Sequence, residues 1–131
     1  MRQLSAPTNA PVQTRYTLLA SSAAAEREWN EFMNKQPAAA IEAYTRLTME
    51  PLERIAGRQF PLKGQKNKPF WEYEATSADR IYYAVDVKNM TVIIAVRNDI
   101  HTGPQVASLV QQRRKAADNH LEQQKKQQKR K

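Results

Sequence analysis

Residues 62–101 read LKGQKNKPFWEYEATSADRIYYAVDVKNMTVIIAVRNDIH, and this stretch decides the fold. Three runs within it, 70–75, 80–87 and 90–96, are rich in aromatic and β-branched residues and are separated by turn formers. They predict three consecutive strands. Lys88-Asn89 predicts a tight hairpin turn, and residues 75–79 a longer one. Connections this short join antiparallel neighbours, so the strands should form a meander.

Upstream, residues 15–20 (RYTLLA) predict a further strand. Ser21 and Ser22 then offer an N-cap to a helix whose Ala25, Trp29, Phe32 and Met33 share one face. Trp29 and Trp71 are read as core residues. Pro37 suits the first turn of a second helix, with Ile41, Tyr44, Leu47, Leu52 and Ile55 at helical spacing. Pro51 should kink or restart that helix, and Gly57 should end it. Downstream, residues 104–120 predict another helix, with Val106, Leu109, Val110 and Ala117 as a short apolar face. The expected order is β-α-α-β-β-β-α. This is an α+β fold, an antiparallel meander sheet with two N-terminal helices packed on one face and a C-terminal helix.

The chain has 131 residues, enough for one domain with a modest core. Residues 1–14, with two prolines and no period, are expected to form a flexible N-terminal arm. Residues 15–102 make the folded domain, and 103–131 a basic C-terminal helix and tail. That last segment carries eight Lys/Arg against two acids, about +6 of the formal +8. Its end, LEQQKKQQKRK, can bury almost nothing. Basic character therefore belongs to the tail more than to the fold. The absence of cysteine excludes disulfides, zinc–thiolate sites and a thiol nucleophile. Three glycines, none in a phosphate cradle, exclude a phosphate loop. No apolar run approaches membrane-spanning length and the N-terminus lacks a signal-peptide core, so a soluble, cytoplasmic protein is expected.

Alternation along the strands assigns faces. Ile81, Tyr83, Val85 and Val87 should lie under the helices, leaving Arg80, Tyr82, Ala84 and Asp86 on an open face. In the last strand Val92, Ile94 and Val96 should be buried, placing Arg97 on the same open face as Arg80. A cation held on a rigid sheet grips a phosphodiester well, although Arg80 is equally suited to a surface ion pair with Asp86 or Glu72.

The run Pro61-Leu62-Lys63, then Phe70-Trp71, then Asp79-Arg80-Ile81-Tyr82-Tyr83-Ala84-Val85, then Ile94-Ala95-Val96-Arg97, resembles the RelE/ParE superfamily of toxin–antitoxin toxins, nearest its YoeB-like branch. The resemblance implies a RelE-like fold and a metal-independent endoribonuclease that cuts messenger RNA on the ribosome and inhibits translation. It implies no cofactor, and a cognate antitoxin, acidic and partly disordered, that forms a hetero-oligomer with the toxin. Arg80 matches the family's strand arginine and would clamp the phosphate. Lys63 matches a basic position that touches RNA backbone.

The sequence departs from the family at two places. Phe60 stands where YoeB-like toxins carry a glutamate before the Pro-Leu-Lys segment. Asn98-Asp99-Ile100-His101 replaces their His-Tyr pair after the last strand. The candidate catalytic residues are therefore Arg80, Arg97, His101 from a shifted position and Glu72 (or Glu74) as base. Candidate RNA contacts are Lys63, Lys66, Lys68, Tyr82, Arg113 and Arg114, with Tyr82 placed to stack a base. Two alternatives stay open: a ParE-like inhibitor of DNA gyrase that cuts no nucleic acid, and a catalytically degenerate RelE-fold module binding RNA or protein.

Overall fold

The computed structural model describes residues 2–63 and 69–98. Its elements are β1 (Arg2–Gln3), β2 (Thr17–Ala20), α1 (Ala23–Lys35), α2 (Pro37–Met49), β3 (Gln59–Pro61), β4 (Trp71–Glu74), β5 (Arg80–Asp86) and β6 (Thr91–Asn98). All the strands join one sheet in the spatial order β1-β2-β6-β5-β4-β3. The expected meander is present as β4-β5-β6, with Trp71 opposite Tyr83 and Ile81 opposite Arg97. The sheet is not antiparallel throughout, because β2 lies parallel to β6, Leu18 beside Val92. The short strands β1 and β3 were not expected, since two or three residues cannot display an alternation. The helix expected over 104–120 lies outside the described residues.

Both helices begin where their sequence directs. Ser22 is extended and its Oγ accepts the Ala25 N–H at 3.1 Å, which satisfies one of the first-turn donors. Pro37 opens α2. The second helix ends at Met49, earlier than its apolar spacing implied. Pro51 has no N–H to continue the ladder, and it forces Glu50 out of helical geometry, to φ −138°. Leu52 is consequently exposed. Gly57 does not cap the helix; at φ +69° it turns the chain between Ile55 and Gln59, which bridge each other.

The core lies between the helices and one face of the sheet. Ala25, Trp29 and Phe32 of α1 and Ala40, Ala43 and Leu47 of α2 pack on Leu18, Tyr73, Ile81, Tyr83, Val92 and Ile94. The N-terminal segment, read as an arm, joins this packing. Its Leu4 is buried and donates its N–H to Leu18 O at 2.9 Å, and the Trp29 indole donates to Ser5 O at 3.1 Å.

The turn between β5 and β6 is longer than the expected pair. Asp86 faces Thr91, leaving residues 87–90 as the loop, and Met90 takes φ +50°. The Asp86 carboxylate holds the loop by accepting from Asn89 N (3.3 Å) and Nδ2 (2.7 Å). Among the described residues no helix is long and apolar enough to cross a membrane.

Leu47 is fully buried and Val12 is 99 % exposed. Urea denaturation should show Leu47→Ala losing about 2–5 kcal/mol and Val12→Ser changing stability by less than about 0.5 kcal/mol. A loss at Leu47 no larger than at Val12 would contradict the packing of α2.

Candidate functional site

A bulge in β6 decides where the two strand arginines point. Tyr83 pairs with Ile94 and Tyr82 with Val96, so Ala95 is an extra residue opposite a single step of β5. Beyond it the alternation of β6 is reversed relative to its first half. Arg97 falls opposite Ile81, on the helix-covered face, and not beside Arg80 as uninterrupted alternation implied. The shared open face expected for the two arginines does not exist.

The second face is not open either. Phe70, Glu72, Arg80, Tyr82, Ala84, Ile93 and Ala95 are all buried. On this face β4 and β5 bring together Glu72, Glu74, Arg80 and Tyr82, with Glu74 opposite Arg80 and Glu72 opposite Tyr82. Arg80 Nη1 donates to Thr76 O at 2.7 Å and to Asp79 O at 3.2 Å. Its Nε lies 3.6 Å from both Glu72 Oε2 and Glu74 Oε1, outside hydrogen-bond distance of either. The backbone carbonyls thus fix the guanidinium, while the two carboxylates hold it loosely.

Burial pushes the Glu72 carboxyl above its usual range, and the neighbouring Glu74 pushes it further, against the opposing pull of Arg80. The Tyr82 hydroxyl donates to Glu72, and its own pKa is driven up by burial and by that carboxylate. With two carboxyls beside one guanidinium, a proton retained on Glu72 neutralises the cluster. The arrangement holds a cation and a carboxyl of raised proton affinity side by side.

The turn that supplies the carbonyls is itself braced. Thr76 Oγ1 accepts from Ala78 N (3.2 Å) and Asp79 N (2.9 Å) and donates to Asp79 Oδ2 at 2.9 Å. Arg97 binds the other carboxylate oxygen of Asp79 at 3.0 Å. Its Nε donates to Glu28 O at 3.0 Å, and the guanidinium lies over the Phe32 ring, 5.7 Å from the centroid. Arg97 therefore ties α1 to the turn that aims Arg80 and does not line the site with it.

Of the expected site residues, Arg80, Glu72 and Tyr82 come together, and Arg97 stands behind them. Lys63 is exposed, two residues past the end of β3. Lys66, Lys68, His101, Arg113 and Arg114 lie outside the described residues. Thr76 and Asp79 were missed, although Thr-Ser-Ala-Asp is a recognisable side-chain-locked turn. Among the described residues no group of three or more His, Asp or Glu is placed to hold a metal ion.

No model of a known protein family matches the chain, and no curated protein matches it in sequence. Solved structures do match its fold. A RelBE2 toxin–antitoxin complex from Mycobacterium tuberculosis aligns with a TM-score of 0.50 at 23 % identity, over 66 % of this chain and 99 % of that one. A YoeB/ParE toxin from Agrobacterium tumefaciens aligns at 0.53 and 14 % identity, over 64 % and 98 %. A YoeB–YefM complex from Staphylococcus aureus aligns at 0.51 and 20 % identity, over 67 % and 99 %. The chain has the RelE/YoeB toxin fold, and about a third of its length is additional to those toxins.

Arg97 and Asp79 are largely buried partners, so Arg97→Ala should cost ~3 kcal/mol by leaving Asp79 unpaired. Arg2→Ala, at an exposed pair with Glu26, should cost about 0–1 kcal/mol in the same denaturation experiment. The raised Glu72 pKa means the folded chain holds this proton more tightly than the unfolded chain does. Its contribution to stability is complete below the ordinary carboxylate range and is lost as pH rises through the folded value. Glu72→Gln should therefore gain stability relative to the parent as pH rises from about 4 to about 7. A difference that stays flat with pH would exclude the raised pKa.

Proposed function

We propose that this chain is the toxin of a toxin–antitoxin pair and cuts messenger RNA on the ribosome without a metal ion. The observation that carries the reading is the cross-strand row Phe60–Glu72–Tyr82, beside Arg80, in a RelE/YoeB fold. Phe60 occupies the position of the YoeB-like glutamate, and the residue paired with it on β4 is a carboxylate. Glu72 thus offers the missing function from the neighbouring strand, with a carboxyl whose pKa burial raises above the usual range.

In the proposed reaction Glu72 takes the proton of a ribose 2′-hydroxyl, and the 2′-oxygen attacks the adjacent phosphorus. The bond from phosphorus to the 5′-oxygen breaks, leaving a 2′,3′-cyclic phosphate, and the departing 5′-oxygen takes a proton from water to become the 5′-hydroxyl. Arg80 is buried, and once uncovered it stabilises the charge gathering on the phosphoryl oxygens. Its loose contacts with Glu72 and Glu74 suit a group that must exchange carboxylates for phosphate, and its carbonyl bonds keep it aimed meanwhile. Lys63 contacts RNA backbone. An acidic antitoxin silences the site by occupying Arg80.

One observation favours a second reading. Phe60 itself removes the family's catalytic carboxylate, as expected of a gyrase-poisoning ParE-like protein. Incubating a defined mRNA with the protein, with and without programmed ribosomes, separates the two. Ribosome-dependent cleavage should fall about 10²–10³-fold in Arg80→Ala and to a comparable degree in Glu72→Gln. Intact mRNA together with inhibited supercoiling by gyrase would establish the second reading instead.

A further inference from the structure

A second feature, on the other face of the sheet, has no part in the chemistry at Arg80. Trp71 opens β4 opposite Pro61 of β3 and, like its partner Tyr83, faces the helix side. It packs on the core through Tyr83, ring centroids 6.4 Å apart, yet remains partly exposed. The Arg54 guanidinium lies over the indole, 5.9 Å from its centroid. Arg46 and Arg58, flanking Arg54 in sequence, are bound to Glu53 and Glu42. Arg54 is exposed and has no carboxylate partner among the described residues. Nor does the Trp71 ring N–H meet an acceptor among the described residues, whereas the buried Trp29 donates its own to Ser5.

We infer that Trp71 and Arg54 form a stacking platform for one unpaired base of a single-stranded RNA, with Arg54 reaching the adjoining phosphate. A partly exposed indole supplies the flat face, and a guanidinium already lying over it supplies both cation–π attraction and phosphate donors. Lys63, exposed two residues beyond Pro61, adds a second cation at the same corner. Trp71 lies on the face of the sheet opposite Arg80, with the short β3 between it and that margin of the sheet. A strand engaged at Arg80 reaches this corner only by passing over the β3 edge, so the base laid on Trp71 lies several nucleotides from the one held at Arg80. The choice of RNA as ligand rests on the proposed function; the platform's geometry does not.

The test is a titration of the full chain with a short 2′-O-methyl oligoribonucleotide, which has no free 2′-hydroxyl and cannot be cut. Trp29 is fully buried, so tryptophan fluorescence reports on Trp71. Saturable quenching is expected, and Arg54→Ala should weaken binding about tenfold. Trp71→Leu, read by anisotropy of a labelled oligonucleotide, should weaken it similarly. Arg27→Ala, at an exposed arginine on α1, should leave it unchanged. Oligonucleotide binding without quenching, or with full affinity in Arg54→Ala, would overturn the platform. So would equal quenching by oligoglutamate, which would assign the corner to an acidic peptide. If mRNA is cleaved but Trp71 stays silent, the platform fails and the nuclease stands. Base-dependent quenching with mRNA left intact gives the reverse.

Discussion

Between Ile94 and Val96 the β6 chain places two steps against one of β5, with register kept on either side. The side chains beyond that point are turned over. Arg97, which would otherwise share a row with Ile93, comes to lie above Phe32 and within reach of Glu28 O and Asp79. A long cationic side chain on the helix-covered face is tolerable only because it is met there by a carboxylate, a carbonyl and an aromatic ring. The bulge thus separates the two strand arginines into different roles.

Those roles are connected through the 76–79 turn. Asp79 receives Arg97 from one side, while its own carbonyl and that of Thr76 receive Arg80 from the other. Neither arginine depends on a single ion pair for its place. The cluster around Arg80 nevertheless carries one more carboxylate than it has cations to match. Burial raises the pKa of Glu72 first, and the neighbouring Glu74 adds to that rise against the pull of Arg80. Orientation and proton affinity at this site are therefore consequences of the same packing.

Much of the fold was legible because its strands and helices carry strong local signals. The Ser22 cap, Pro37 at the start of α2 and the three meander strands rich in aromatic or β-branched residues all stand where the sequence puts them. The end of α2 was misread because apolar spacing at Leu52 and Ile55 persisted past Pro51, which stops the ladder regardless of spacing. A bulge leaves no mark in the alternation itself, so Arg97 was assigned to the wrong face. The burial of the second face did have a signal: Tyr82, Ala84, Ile93 and Ala95 make that row apolar too, as in strands covered on both sides. The partnership of Arg97 with Asp79 and Glu28 joins residues 18 and 69 positions apart. Only the tertiary structure brings them together.

The two margins of the sheet share a property that shapes how the protein meets other chains. At one margin the N-terminal residues Arg2–Gln3 cover β2, whose parallel partner lies on its other side. At the other, β3 is three residues long and ends in Pro61, which has no N–H to offer. A sheet blunted at both sides resists edge-to-edge polymerisation. Among the described residues it also leaves little ladder for an incoming strand to extend, which shifts the weight of any contact at these margins from backbone to side chains.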